Sequence, residues 1–165
     1  MLPAAGRSVG TGMVHPMPLH GEYEPSTQPW VAEQVDEYER SGGRRANTLR
    51  DTGLPIIVVT TRGAKTGKIR KIGLMRVEHD GEYALVASKG GAPEHPCWYH
   101  NIKADPTALV IQDGPEPFDA EAREVTGEEK ARWWERAVAA FPPYAEYQAK
   151  TTREIPVLVA RRRTA

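Results

Sequence analysis

Residues 54–78, LPIIVVTTRGAKTGKIRKIGLMRVE, carry the pattern from which the fold of this chain can be predicted. The run from Leu54 to Thr61 is rich in β-branched residues and too short for a buried helix, so it predicts a central strand. Residues 62–67 have the composition of a turn, and residues 68–78 return as a second strand. The segment therefore predicts a β-hairpin.

The flanking sequence predicts further short strands and a few helices. Pro96 suits the first position of a short helix, and Thr126 with Glu129 forms a capping box that opens a later one. The remaining pattern predicts a helix over 28–40, strands over 83–87, 107–112, 118–125 and 155–160, and helical segments over 97–104 and 144–150. Six strands joined mainly by short turns favour an α+β fold, an antiparallel split β-barrel with helices packed outside.

Composition bounds the class of protein. The 165 residues are 39% hydrophobic and 27% charged, which fits one globular domain over residues 27–165 after a flexible, Gly- and Pro-rich lead-in over 1–26. Met13 and Met17 are alternative starts.

The numbers of basic and acidic residues are equal. Lys and Arg together number 22, as do Asp and Glu, so no overall electrostatic field favours binding to nucleic acid or to an anionic membrane. A single cysteine excludes an internal disulfide. No spanning helix or secretory signal is evident, which predicts a soluble, cytoplasmic protein.

Positive charge is concentrated in the hairpin. Five cations and no acid stand between Arg62 and Lys71, and Lys89 follows in a loop with two glycines. Such a cluster is either a solvated face or a site for a polyanion, and the neighbouring threonine hydroxyls favour the anion site. GAKTGKI lacks the spacing of a P-loop, so the hairpin itself would hold the anion.

Two further segments carry chemistry. In SKGGAPEHPCWYHN (88–101), the glycine amides and the helix start can face a ligand, and Trp98 can stack on a planar ring or fill the core. In FPPYAEYQ (141–148), aromatic residues recur every three positions, which suits either a pocket rim or core packing. His95, Cys97 and His100 lack a fourth candidate ligand, so no metal site is predicted.

These segments together resemble the deazaflavin-dependent nitroreductase and quinone reductase family of actinobacteria, which uses coenzyme F-420. The matching stretches are PIIVVTTRGAKTGKIRKIGL, VASKGGAPEHPCWYHNIKADP and FPPYAEYQAKTTREIPVLV, in the family's order. The resemblance implies a split barrel related to the FMN-binding flavoreductases. It also implies an oxidoreductase that transfers a hydride from reduced F-420 to a planar, electron-poor acceptor, namely a quinone, an activated enone or a nitroaromatic.

The resemblance assigns roles to particular residues. The phosphate and oligoglutamate tail would be held by Lys65, Thr66, Arg70 and Lys71, with Ile72 beside them. The phosphate and ribityl stretch would be lined by Val86, Ala87, Ser88 and Lys89, and the deazaflavin ring by Cys97, Trp98, Tyr99 and Asn101. Tyr144 would be the catalytic residue, in a substrate pocket with Met75, Phe141 and Tyr147.

Some alternatives stay open at this point. Ala64 stands where the family is usually basic, Cys97 where methionine is commoner, and Met75 where one branch has a pocket tyrosine. An FMN-dependent oxidoreductase on the same fold, or a non-catalytic F-420 carrier, would fit the same residues, whereas RNA binding is weakly supported. The protein would be a monomer or a homodimer. Peripheral membrane contact would involve the first helix, although its acidic outer face disfavours anionic lipid.

Overall fold

The computed structural model describes Leu19 and residues 21–164. The predicted alternative starts and most of the predicted flexible lead-in fall on residues 1–18 and 20, outside the described part of the chain. Among the described helices, none is both long enough and apolar enough to cross a membrane.

The fold is a curled antiparallel sheet of seven strands with helices packed against it, which confirms the predicted α+β split barrel. The strands are β1 (Ile56–Arg62), β2 (Ile69–Met75), β3 (Glu78–His79), β4 (Glu82–Val86), β5 (Leu109–Gln112), β6 (Pro117–Glu124) and β7 (Val157–Arg162). The helices are α1 (Pro29–Ser41), α2 (Cys97–Ala104), α3 (Gly127–Ala140) and α4 (Pro143–Lys150). The strand order is β2-β1-β5-β6-β7-β4-β3, yet β2 and β4 also contact each other, so the sheet curls.

The second predicted strand, over 68–78, is divided in the structure. β2 ends at Met75, and Glu78–His79 forms the separate strand β3 at the other edge of the sheet. Arg76 lies between them. Its backbone amide donates to the Pro55 carbonyl at 3.0 Å, and its guanidinium donates to the Asp113 carboxylate at 2.9 Å. The prediction of one continuous strand was wrong because the chain must cross from one edge of the curled sheet to the other.

Two predicted helix starts also differ in detail. Pro96 is the extended residue before α2 rather than its first helical residue. Thr126 does precede α3, but its side chain makes no capping hydrogen bond. The Glu129 carboxylate instead accepts two hydrogen bonds from the Arg123 guanidinium, at 2.8 and 2.6 Å. The Glu129 carboxylate is therefore engaged by the Arg123 side chain rather than by the backbone at the start of α3.

The two faces of the sheet are buried in separate cores. Alternate residues of β1 show this, since Ile56 and Val58 belong to one core while Ile57 and Val59 belong to the other. The first core packs the sheet against α1, α3 and α4. The second core contains Trp98 and Ile102 of α2 together with the other face of the sheet.

An N-terminal arm, defined here as residues 21–27, covers the free edge of β2. The Glu24 amide donates to the Ile69 carbonyl at 2.9 Å, and the Ile69 amide donates to the Glu22 carbonyl at 2.8 Å. Tyr23 thereby pairs in parallel with Ile69. These residues differ from the flexible lead-in expected from sequence, because an edge strand leaves backbone groups that a neighbouring segment can satisfy.

Removing the buried hydroxyl of Tyr38 tests the hydrogen bonds that link α1 to the end of β5 and the turn after it. This hydroxyl accepts from the Gly114 amide at 2.8 Å and donates to the Gln112 carbonyl at 3.3 Å, and Tyr38 is 2% exposed. Tyr38→Phe should lower the free energy of unfolding by ~1–3 kcal/mol, because two backbone groups lose their partner. Urea unfolding measures this, with Tyr23→Phe as control because Tyr23 is 40% exposed. Equal stability of the two variants would contradict the role of this hydroxyl.

Candidate functional site

The main cleft lies between the β1–β2 turn and the start of α2, and its volume is about 540 Å³. The N-terminal arm and the first turns of α1 close one side. Its lining comprises Ser26, Gln28, Val31, Thr61, Gly63, Ala64, Lys65, Thr66, Arg70, Lys71, Ile72, Lys89, Pro96, Cys97, Trp98, His100 and Asn101.

The β1–β2 turn is built so that its tip is exposed beside this cleft. The Gly63 amide donates to the Lys68 carbonyl at 2.7 Å, and the Gly67 amide donates to the Gly63 carbonyl at 2.9 Å. Gly67 adopts a φ of +74°, which favours glycine. The turn therefore satisfies its own backbone and leaves the side chains of Lys65 and Thr66 exposed.

Asn101 joins this turn to α2. Its Oδ1 accepts from the Ala64 amide at 2.9 Å, and its Nδ2 donates to Thr61 Oγ1 at 3.1 Å. One side chain thus contacts both the end of β1 and the turn that follows it. Asn101 lines the cleft, as the prediction requires, and it also holds the two walls of the cleft together.

The basic cluster is partly neutralised by acids from distant parts of the chain. Lys71 pairs with Glu39 of α1 at 2.7 Å, and Arg70 pairs with Glu24 of the arm at 3.5 Å. Lys65, by contrast, has no carboxylate within 4 Å among the described residues, and the same holds for Lys68. Lys89 pairs with Glu94 at 3.3 Å. The acidic face of α1 is a sequence signal that could have indicated the Lys71–Glu39 pair, whereas the pairs with Glu24 and Glu94 have no such signal.

An apolar wall lines the same cleft as the cations. It consists of Val31, Ile72, Pro96 and Trp98, which all border the cleft. Trp98 is 7% exposed and packs in the second core, so it both fills the core and forms part of the wall. Cys97, the first residue of α2, is exposed at the rim. The cleft can accept a molecule that is planar and apolar at one end and anionic at the other.

Most of the predicted cofactor residues line this cleft, and four do not. Val86 and Ala87 are buried in the first and second cores, and Ser88 is buried with its carbonyl bound by Arg153. The Tyr99 hydroxyl donates to Glu124 at 2.7 Å, and burial together with this bond raises the pKa of the phenol to about 12. The roles of these four residues stay predictions that the cleft geometry does not support.

The predicted substrate residues lie together elsewhere. Met75, Phe141 and Tyr144 are buried in the first core, and Tyr147 packs against them. None of them lines the cleft. The Tyr144 ring lies 5.0 Å from that of Phe141, and burial raises the pKa of its phenol, so the hydroxyl stays protonated at neutral pH.

The loop over residues 88–91 contacts both the cleft and α4, which carries Tyr144 and Tyr147. Gly91 packs so closely on α4 that an added Cβ would lie 2.8 Å from the Tyr147 carbonyl oxygen. Lys150 donates to the Gly90 carbonyl at 3.3 Å. Lys89, in the same loop, lines the cleft. Loop 88–91 therefore borders the cleft through Lys89 and packs on Tyr147, one of the four predicted substrate residues, through Gly91.

Comparison with known proteins gives consistent results. A family model described as F420H(2)-dependent quinone reductase matches residues 30–162. An F420H(2)-dependent quinone reductase of Mycobacterium tuberculosis is 39% identical over 112 residues, which are 66% of this chain and 74% of that protein.

Two solved structures are also similar. One, described as an F420-H2 dependent reductase (FDR-A), is 58% identical with a TM-score of 0.60 and covers 64% of this chain and 93% of its own. Another, described as a domain-swapped dimer, is 51% identical with a TM-score of 0.63 and covers 82% of this chain and 99% of its own.

Asn101→Ala should loosen the β1–β2 turn. The Ala64 amide loses its acceptor, so its hydrogen exchange should become faster, and stability should fall by ~1 kcal/mol. Exchange measured by NMR or mass spectrometry on residues 61–67 tests this. Asn47→Ala is the control, because Asn47 is exposed and its side chain donates to the Gly43 carbonyl, outside the β1–β2 turn. Unchanged exchange at Ala64 would contradict the role of Asn101 in holding the turn.

Proposed function

Because this chain belongs to the F420H(2)-dependent quinone reductase family, we propose that the cleft between the β1–β2 turn and α2 is where it binds coenzyme F-420. The chain is an F-420-dependent oxidoreductase, as the resemblance implied. The position of the coenzyme, the residues that hold it and the acceptor are the proposal.

The observation that carries the proposal is that one cleft combines Lys65 with apolar side chains. Lys65 has no carboxylate partner among the described residues, and Ile72 and Trp98 border the same cleft. Coenzyme F-420 combines a planar deazaflavin with a phosphate and an oligoglutamate tail, and the residues present fit both parts. When bound, the reduced coenzyme supplies a hydride, which is the difficult part of the chemistry.

The protein's own contribution is binding and orientation. Lys65, Thr66, Arg70 and Lys71 would hold the anionic tail, with charged donors that make strong hydrogen bonds to phosphate and carboxylate oxygens. Ile72, Trp98 and Val31 would exclude water from the ring. Asn101 would keep the β1–β2 turn, which carries Lys65, and α2, which carries Trp98, at a constant separation. No acid–base pair is needed for this task.

The two alternatives are less well supported. FMN carries one phosphate, whereas the cleft carries several cations along one side, and family membership favours F-420. A non-catalytic carrier would need the same binding residues, but the related proteins are described as reductases.

We place the acceptor at the end of the cleft near loop 88–91. Support comes from the packing of Gly91 on Tyr147 of α4, since Tyr147 in turn packs against Tyr144 and Lys89 of the same loop lines the cleft. The acceptor would be a small planar molecule, with a quinone favoured by the family over an enone or nitroaromatic. Tyr144, with Met75 and Phe141 behind it, would donate a hydrogen bond or proton to the acceptor as charge develops.

The dimer described for one relative favours a homodimer over a monomer for this chain. A cytoplasmic location, and peripheral membrane contact through α1, stay predictions.

Lys65→Ala should weaken F-420 binding by ~1–3 kcal/mol, because a charged donor without an internal partner is lost. Fluorescence titration at low and high salt measures the affinity, and the variant should show a smaller salt dependence. Lys130→Ala on α3 is the control, since Lys130 lies outside the cleft. Equal affinity of Lys65→Ala and wild type for F-420 at low salt would contradict the proposed binding of the anionic tail by Lys65.

Glu24→Gln should have the opposite effect. Glu24 pairs with Arg70 at 3.5 Å, so the anionic tail must compete with it. Removing the carboxylate should tighten F-420 binding by about 2- to 5-fold, in line with the small energy of an exposed ion pair. The same titration measures this, and weaker binding by Glu24→Gln would show that Arg70 does not hold the tail.

Tyr144→Phe should lower turnover by about 100-fold or more, the usual range for a lost acid catalyst, with F-420 affinity nearly unchanged. Among the described residues nothing hydrogen-bonds to this phenol, so its removal should cost little stability. Tyr83→Phe is the reverse control, because the Tyr83 hydroxyl binds Asp113 at 2.7 Å and its loss should lower stability rather than turnover. Wild-type turnover in Tyr144→Phe would remove Tyr144 from the mechanism.

A further inference from the structure

Arg153 binds the loop that carries Lys89. It lies between α4 and β7, and its guanidinium donates to the carbonyls of Ala92 at 2.8 Å, Ala87 at 3.2 Å and Ser88 at 2.7 Å. It also contacts His95 Nδ1 at 2.9 Å. One side chain therefore spans the loop from its beginning to the residue before Pro96.

The backbone around Arg153 is itself held in place. Gln148 donates from Nε2 to the Arg153 carbonyl at 2.8 Å and accepts from the Ile155 amide at 2.9 Å. Thr151 Oγ1 accepts from the Arg153 amide at 3.3 Å. The end of α4 thus directs the side chain of Arg153 toward the loop.

Arg153 interacts with neutral acceptors only. No carboxylate lies within 4 Å of its guanidinium in the part of the chain that the structure describes. Because arginine can only donate, His95 Nδ1 must accept, which places the histidine proton on Nε2. Burial, with the nearby positive charge of Arg153, lowers the pKa of His95 and keeps this ring neutral. Because its partners are all neutral, the Arg153 guanidinium does not serve to neutralise a buried carboxylate.

The loop that Arg153 holds has an unfavourable backbone. Lys89 has a φ of +46°, followed by Gly90 at +64° and Gly91 at +83°. A left-handed conformation is costly for a lysine and persists only when neighbouring groups impose it. The carbonyls that Arg153 binds lie directly before and after these residues.

The bonds to Arg153 also set the direction of two amides. In a planar trans peptide the carbonyl and the N–H point in opposite directions. Because the Ala87 and Ser88 carbonyls point toward Arg153, the N–H groups of Ser88 and Lys89 point away from it. Within residues 21–164 neither amide donates to a protein acceptor. A right-handed Ser88 followed by a left-handed Lys89 is the backbone combination of an anion-binding nest.

We propose that Arg153 is a positioning residue for F-420 binding: it holds loop 87–95 so that the free backbone amide and the ammonium of Lys89 receive an anionic group of the coenzyme in place of the Glu94 carboxylate. This inference rests on the proposed function, because Lys89 lines the proposed coenzyme cleft. Arg153 itself does not line the cleft, so it acts through the loop.

The first test uses the protein without coenzyme. In Arg153→Ala, hydrogen exchange measured by mass spectrometry should become faster over residues 87–95, and it should stay near wild type over β1, β5 and β7. Arg132→Ala is the matched control, because Arg132 on α3 is exposed and forms an exposed ion pair with Glu128 at 4.0 Å. Unchanged exchange over residues 87–95 would overturn the proposal, as would an equal increase over the whole sheet.

The second test measures F-420 binding. Arg153→Ala should raise the Kd by about 10- to 100-fold, the range seen when groups that orient metal ligands are removed. Arg153→Lys keeps the charge but cannot bind three carbonyls in the same plane, so it should also bind weakly. Added guanidinium should partly restore the affinity of Arg153→Ala and leave that of Arg132→Ala unchanged. Wild-type affinity in either Arg153 variant would overturn the proposal.

The two tests separate this inference from the proposed function. If wild-type protein did not bind F-420 in the cleft, the proposed function would fail, whereas the exchange experiment would still show whether Arg153 holds the loop. If Arg153→Ala did not fold, Arg153→Lys would give both comparisons.

Discussion

Burial of β1 on both faces is the constraint on which the rest of the structure depends. Its alternate residues enter two separate cores, so the strand cannot shift by one residue without exchanging both sets. β2 and β5 pair with it on either side and satisfy its backbone. Because β1 is fixed in this way, Thr61 and the turn that follows it have a defined position. Asn101 then relates that turn to α2, and the cleft is the space between them.

The charges around the cleft are only partly balanced by acids of the same chain. Neighbouring cations of the hairpin repel one another, and Glu24 and Glu39 offset part of that repulsion at Arg70 and Lys71. Lys65 and Lys68, at the turn, have no such partner among residues 21–164. An anionic ligand therefore meets some cations directly and must displace a carboxylate from others. The arm that provides Glu24 also covers the edge of β2, so one segment serves both the sheet and the charge balance.

Local patterns predicted most of the fold, because β-branched runs, turn residues and helical periodicity act over short stretches. They predicted the hairpin, α2 and the basic side of the cleft. They could not predict the break after Met75, which depends on the curl of the whole sheet. They also do not reveal which core each face of a strand meets, so the burial of Val86 in the first core could not be predicted from β4 alone. Arg153 escaped notice because a single arginine in a loop has no pattern, and only the fold brings it to the Ser88 carbonyl.

The position of F-420 in a crystal of the complex tests the central claim most directly. The account predicts the anionic tail beside Lys65 and Arg70, and the deazaflavin ring against Ile72 and Trp98. Coenzyme bound in another part of the molecule, for example among the aromatic residues of the first core with the turn empty of ligand, would contradict it.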